Sequence, residues 1–260
     1  MSGPSEPGVR WIPPSILGGA WQMAIDEALL EAEGPPVLRF YGWARPTLSL
    51  GYHQRQLPPH WLELAAAGVI DLVRRPSGGR AVLHAGDLTY ALIWPSPPAP
   101  RRSVYSLACR WLQEGFAALG EPLHFGMQTA TGERASCFTS STAADLICGN
   151  GAKRIGSAQL WRWGHLLQHG SIQLTPPTVL WWDLFGGDPP ALPPLPLGRE
   201  ELIVHLRDAA QRHLPFGEPG ARWQELDLSV EELAGIAPRL DRYRLSPRDT
   251  SPELTIARAT

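Results

Sequence analysis

The sequence predicts an α+β domain with helices laid on a sheet, and three features carry the prediction. Two stretches, Gly19 to Glu33 and Ser103 to Phe116, repeat apolar residues at the helical period. Short apolar runs bounded by glycine and proline lie between and after them, as strands do. The chain has 260 residues, 43% of them hydrophobic, enough to bury a substantial core in one main domain.

In chain order, the first helix sets Trp21, Ala24, Ile25, Ala28 and Leu29 on one stripe with Asp26 and Glu27 beside it, and Gly34-Pro35-Pro36 stops it. Strands are expected at Val37 to Trp43, Thr47 to Tyr52 and Val69 to Arg74. The last passes through Pro76-Ser77-Gly78-Gly79 into Ala81 to Leu83 and then Leu88 to Trp94. Pro95 to Pro100 breaks the chain, Ser103 is expected to cap the second helix, and Gly120 ends it. Ala144 to Cys148, Lys153 to Trp163 and His165 to Leu174 read as strands joined by Gly149-Asn150-Gly151 and Gly164, both hairpin signals. The division expected is a main unit over 1–185, a Pro/Gly-rich linker over 186–198 and a short helical tail over 199–260, with helices at Arg199 to His213 and Ser229 to Leu240.

A formal charge of −2, a pI near 6.4 and the lack of any Lys/Arg-rich run give no reason to expect nucleic acid or an anionic membrane, and leave a neutral or acidic protein partner open. Three cysteines, Cys109, Cys137 and Cys148, have no CxxC spacing, which disfavours a disulfide framework and a zinc site alike. The N-terminus lacks a signal-peptide pattern and no segment approaches the roughly 20 apolar residues of a membrane span, so a cytoplasmic location is expected.

Three segments could carry chemistry. Arg74 to His84 joins two apolar strands through Gly78-Gly79, where a ligand can approach the main chain closely and N–H groups can hold an oxygen; an ordinary hairpin is the alternative. In Gly149 to Gln159, Lys153 leaves a glycine turn into a strand whose Gly156, Ser157 and Ala158 leave room for a ligand, against a reading as a hairpin with a solvated lysine. Cys137 sits in the polar loop Arg134 to Ser141, outside any apolar pattern, whereas Cys109 and Cys148 fall in a helix and a strand as small buried hydrophobes. His84, His165 and His169 are candidate bases without metal-site spacing, and the tryptophans Trp161, Trp163, Trp181 and Trp182 line an apolar pocket or pack in the core.

Taken in order, Met23 to Ala28, Arg39-Phe40-Tyr41-Gly42-Trp43, Leu48 to Tyr52, Arg74 to His84, Lys153 to Gln159 and Leu167-Gln168-His169-Gly170-Ser171 resemble the biotin and lipoate protein ligase superfamily over about residues 19 to 175. The resemblance implies a mixed β-sheet flanked by helices, the catalytic-domain fold of that superfamily and similar to class II synthetases. It implies a substrate pocket built from Arg75, Ser77, Gly78, Gly79, His84, Gly156, Ser157, Ala158, His169 and Gly170. Ser77 stands where threonine is common, and the basic residue expected after Gln159 comes one place late, at Arg162.

Within the superfamily, Ser136-Cys137-Phe138 ahead of Asp145-Leu146 and the Lys153 segment looks most like the cysteine-dependent octanoyltransferases. That branch implies Cys137 as nucleophile and Lys153 as its partner, with acyl carrier protein as donor and a lipoyl domain or glycine-cleavage H protein as acceptor. A thiolate attacks a thioester readily, so no cofactor is expected. The enzymatic rival is an ATP-dependent lipoate ligase, with ATP and Mg; the non-enzymatic one is a binder of lipoyl or acylated domains.

Overall fold

The computed structural model describes residues 8–98, 100–126, 145–216 and 222–245, so Cys137 and its loop lie outside the described residues. The chain runs through β1 (Val9–Leu17), α1 (Gly19–Glu31), β2 (Val37–Trp43), β3 (Thr47–Leu50), α2 (Pro59–Ala66), β4 (Asp71–Arg74), β5 (Val82–His84) and β6 (Asp87–Trp94). Then come α3 (Arg101–Ala118), β7 (His124–Phe125), β8 (Asp145–Ile147), β9 (Lys153–Arg162), β10 (His165–Gln173), α4 (Thr178–Phe185), α5 (Arg199–His213), β11 (Trp223–Glu225) and α6 (Val230–Ile236), which passes into a 3-10 turn, Ala237–Arg242.

The fold is α+β. An eight-stranded mixed sheet has the order β11-β1-β2-β6-β10-β9-β8-β7, and a three-stranded sheet has the order β4-β3-β5. In the large sheet β1 pairs in parallel with β2 and β11, and the remaining pairs are antiparallel. Every residue of β6 is buried, because the sheet is covered on both faces. Alternation divides the strands between two cores. Leu38, Phe40, Tyr90 and Leu92 pack beneath α3 and α5 with Trp111 and Phe116, whereas Val37, Tyr41, Ala91 and Ile93 face α1 and Ile236. Helix α1 has no side-chain cap and is buried on nearly every side, so packing rather than intrinsic propensity stabilises it.

Several expectations change. The turn at Ser77-Gly78-Gly79 is not a hairpin, since β4 and β5 do not pair with each other; each pairs with β3 between them. Helix α3 begins at Arg101 on Pro100 rather than at Ser103, because a helix start does not need the missing proline N–H. Strand β1 occupies the proline-rich start, with a register shift between Ile12 and Ser15 where Pro13 and Pro14 cannot donate to a ladder. Beyond residue 186, Leu192, Leu195 and Leu197 pack against the main core, α5 lies on α3, and β11 adds a strand beside β1. Ser229 caps α6, its Oγ accepting from the Glu232 N–H while Glu232 accepts from the Ser229 N–H.

Phe40 is fully buried with Trp11 and Trp111 edge-on to its ring. Phe40→Ala is expected to lower unfolding free energy by about 3–5 kcal/mol, read from urea denaturation.

Candidate active site

A cavity opens where the glycine turn after β4 meets β9 and β10. Of the expected residues, Arg75, Gly78, Gly79, His84, Gly156, Ser157, Ala158, His169 and Gly170 line it. Met23, Tyr41, Trp43 and Val82 supply its apolar wall. Tight approaches shape it. A Cβ on Gly51 would stand 1.8 Å from the Gly79 carbonyl oxygen, and Gly79 itself has φ +97°. A Cβ on Gly170 would lie 2.6 Å from both Ser157 Oγ and Tyr90 Cε1, so glycine there leaves the Tyr90–Ser157 hydrogen bond, 2.8 Å, undisturbed.

Arg75 is a clamp. Its guanidinium donates to the carbonyls of Ser49 at 2.9 Å, Gly78 at 2.8 Å and Arg80 at 2.7 Å, which fixes the turn against β3. Behind the turn, Ser77 Oγ lies 2.5 Å from His169 Nε2, and His169 Nδ1 donates to Asp26 Oδ2 at 2.9 Å. Asp26 also accepts from Tyr41 OH at 2.9 Å and from Arg39 Nη1 at 3.3 Å. A second chain runs alongside. Ser49 Oγ meets His84 Nε2 at 2.8 Å, His84 Nδ1 donates to Asp87 Oδ2 at 2.8 Å, and Asp87 accepts further from Thr89 and Ser171. Each carboxylate holds an imidazole by its Nδ1, which turns each Nε2 toward a serine hydroxyl. Trp43 stacks on His84 with centroids 3.9 Å apart.

Lys153 is the only lysine in the sequence, which a residue count alone would have singled out. It starts β9, three residues before Gly156, and is 3% exposed. It is not the solvated lysine of an ordinary hairpin: Nζ lies 2.7 Å from Asp145 Oδ1 on the neighbouring strand β8, and both side chains are buried. Among the described residues Lys153 is not in the cavity wall itself. Burial pushes the Cys109 thiol up to about 12 and the Cys148 thiol up to about 11, so both stay protonated at neutral pH.

Other candidates fall away from the cavity. Trp163 is the first residue of the β9–β10 turn and 74% exposed, Trp182 is exposed, Trp181 is buried with the small sheet, and Trp161 packs on the main core. Trp43 lines the cavity instead. His165 is not among its lining residues. No group of three metal-ligating side chains occurs among the described residues. The sequence signal for Asp26 and Glu27 was two acids beside the apolar stripe of α1, and both are buried.

A cavity between a glycine turn and a small-residue strand, on a mixed sheet with helices on both faces, is the arrangement that the comparisons with known proteins place in a family. Residues 19–178 match the lipoyl protein ligase A/B catalytic domain, and the chain belongs to that family. It is 33% identical over 264 residues to octanoyltransferase LipM of Halalkalibacterium halodurans, covering 92% of this chain and 91% of that one. To octanoyltransferase LipM of Bacillus subtilis it is 37% identical over 192 residues, covering 68% and 69%. It stands with these relatives as an octanoyltransferase of the lipoate-ligase superfamily. In fold it is similar to lipoate-protein ligase A bound with ATP, with a TM-score of 0.72 and 17% identity over 90% of this chain and 95% of the other. A bi-partite lipoate protein ligase of Thermoplasma acidophilum, studied with its E2 lipoyl domain, superposes with a TM-score of 0.70 and 17% identity over 91% and 93%.

Burial holds the His84 imidazole below its ordinary value, against the pull of Asp87. The unfolded chain therefore takes up this proton near the usual 6.5, about where His titrates, and the folded chain only at lower pH. The contribution is complete above that value and declines as pH falls toward the folded one. Urea midpoints are expected to drop between pH 7.5 and pH 5.5, and to drop less in His84→Gln.

Proposed function

We propose that this chain moves an octanoyl group from acyl carrier protein to a lysine of a lipoyl domain or glycine-cleavage H protein, by way of a thioester on Cys137. The supporting observation is an apolar cavity walled by the glycine turn and by the strand that carries the single lysine. Arg75, Gly78, Gly79, His84, Gly156, Ser157, Ala158, His169 and Gly170 would hold the acyl chain and its carbonyl, with Ser77 supporting the turn from behind. Cys109 and Cys148 are kept protonated by burial, which leaves Cys137 as the thiol to attack. The Cys137 thiolate adds to the thioester carbonyl, the carrier thiolate leaves and takes a proton, and the acceptor amine then displaces Cys137 to form the amide. Thioester for thioester is nearly isoenergetic, so ATP is not consumed. Lys153 acts as a fixed cation near the reacting carbonyl, held in place by Asp145. No described helix is long and apolar enough to cross a membrane, and a cytoplasmic site of action fits this chemistry.

Incubation with octanoyl carrier protein and no nucleotide is expected to give an octanoyl adduct by intact mass, removed by hydroxylamine and missing in Cys137→Ser. An adduct that survives in Cys137→Ser, or one that requires ATP, would overturn the thioester route in favour of a ligase. Lys153→Ala is expected to slow transfer to the acceptor by about 10²- to 10⁴-fold, the range for a positioned polar catalyst; retention of binding with no rate loss would point to a non-catalytic role.

A further inference from the structure

We propose that a second cavity, lined by Arg74, Arg162, Arg242 and Tyr52, binds a phosphoryl group, namely the phosphodiester of the arm that carries the donor's acyl thioester. Arg75 lines both cavities, so this cleft adjoins the acyl cavity across the glycine turn.

The cleft draws its guanidinium groups from β4, β9 and the 3-10 turn after α6. Glu27 is the one carboxylate among its described lining residues, set against four arginines in a chain whose formal charge is −2. Glu27 is already engaged. It accepts from Tyr243 OH and lies 2.6 Å from Arg162 Nη1, which also meets Glu31 at 2.8 Å. Arg242, two-thirds exposed, reaches only Glu27 among the described residues, at 3.8 Å. Arg74 Nη1 donates to the carbonyls of Gly51 at 3.1 Å and Gln54 at 2.6 Å, so the group is pinned while no described residue accepts from its Nη2 or Nε. Burial, and then the neighbouring Arg55, lower the Arg74 pKa, as expected where cations crowd without enough anions. Arg55 stands over the half-exposed Tyr52 ring at 5.7 Å, at the edge of the same cleft.

Guanidinium groups brought to one cleft from separate elements suit a tetrahedral oxyanion, whose oxygens accept from several directions at once. The choice of the thioester arm as source rests on the acyl-transfer reading; a nucleotide phosphate is the other source of the same chemistry. The cleft itself rests on its own charge and geometry.

Calorimetric titration of the full chain with 4′-phosphopantetheine and with pantetheine separates the possibilities, because the two differ only in the phosphoryl group. Phosphopantetheine is expected to bind at least tenfold more tightly, and the ratio to collapse toward one in the double variant Arg55→Ala, Arg242→Ala, whose altered side chains are exposed. Wild-type preference should also weaken between 50 and 500 mM KCl, a check that needs no variant. Equal binding of the two ligands, or a ratio that survives both the substitutions and salt, would overturn the site. ATP affinity that falls in the double variant while the pantetheine ratio stays unchanged would overturn the thioester arm as its source. No acyl group or turnover is involved, so failure of the Cys137 thioester would leave this result standing, and the reverse.

Discussion

The carboxylate of Asp26 is a buried charge on a buried helix, and it survives there because three side chains donate to it from outside that helix. Arg39 and Tyr41 come from β2 and His169 from β10, so one carboxylate ties α1 to two strands of the large sheet. Through His169 the tie reaches Ser77 and the glycine turn. Burial and the nearby Asp26 charge raise the Tyr41 pKa well above its ordinary value, keeping the phenol a donor. Asp87 does the same work a few ångströms along, gathering His84, Thr89 and Ser171. The cavity lies between these two polar chains, and its shape is inherited from them.

This arrangement separates two duties that a motif alone would merge. Arg75 donates to main-chain carbonyls and holds the turn, while the neighbouring Arg74 is anchored through Nη1 and lines the adjoining cleft. Arg75 thus borders both cavities, and Arg74 only the second. A purely polar wall would favour water; here Met23, Tyr41, Trp43 and Val82 keep the acyl side apolar.

The strands from β2 to β6 and from β8 to β10 were legible because burial on one or both faces imposes local patterns, and helices α1, α3 and α5 because their stripes are long. Short elements escaped. Helices α2 and α4 have eight residues each, and β7 and β11 two and three, too few for a period to emerge. Strand β1 was hidden by its prolines. Motif positions such as Gly79 and Ser157 could be read because their chemistry depends on small size. The partners could not: Asp26 and His169 are 143 residues apart, and only folding tells Lys153 that Asp145 will neutralise it.

The lone buried lysine has a consequence for the rest of the surface. The sequence carries twenty-two arginines and one lysine, so its exposed cations are guanidinium groups, which stay protonated and do not attack acyl carbon at neutral pH. An activated octanoyl group held as proposed would meet no lysine amine on the exterior, so loss of the acyl group to a side chain of its own surface would be disfavoured. The only side-chain amine in the chain is itself buried and paired with the Asp145 carboxylate.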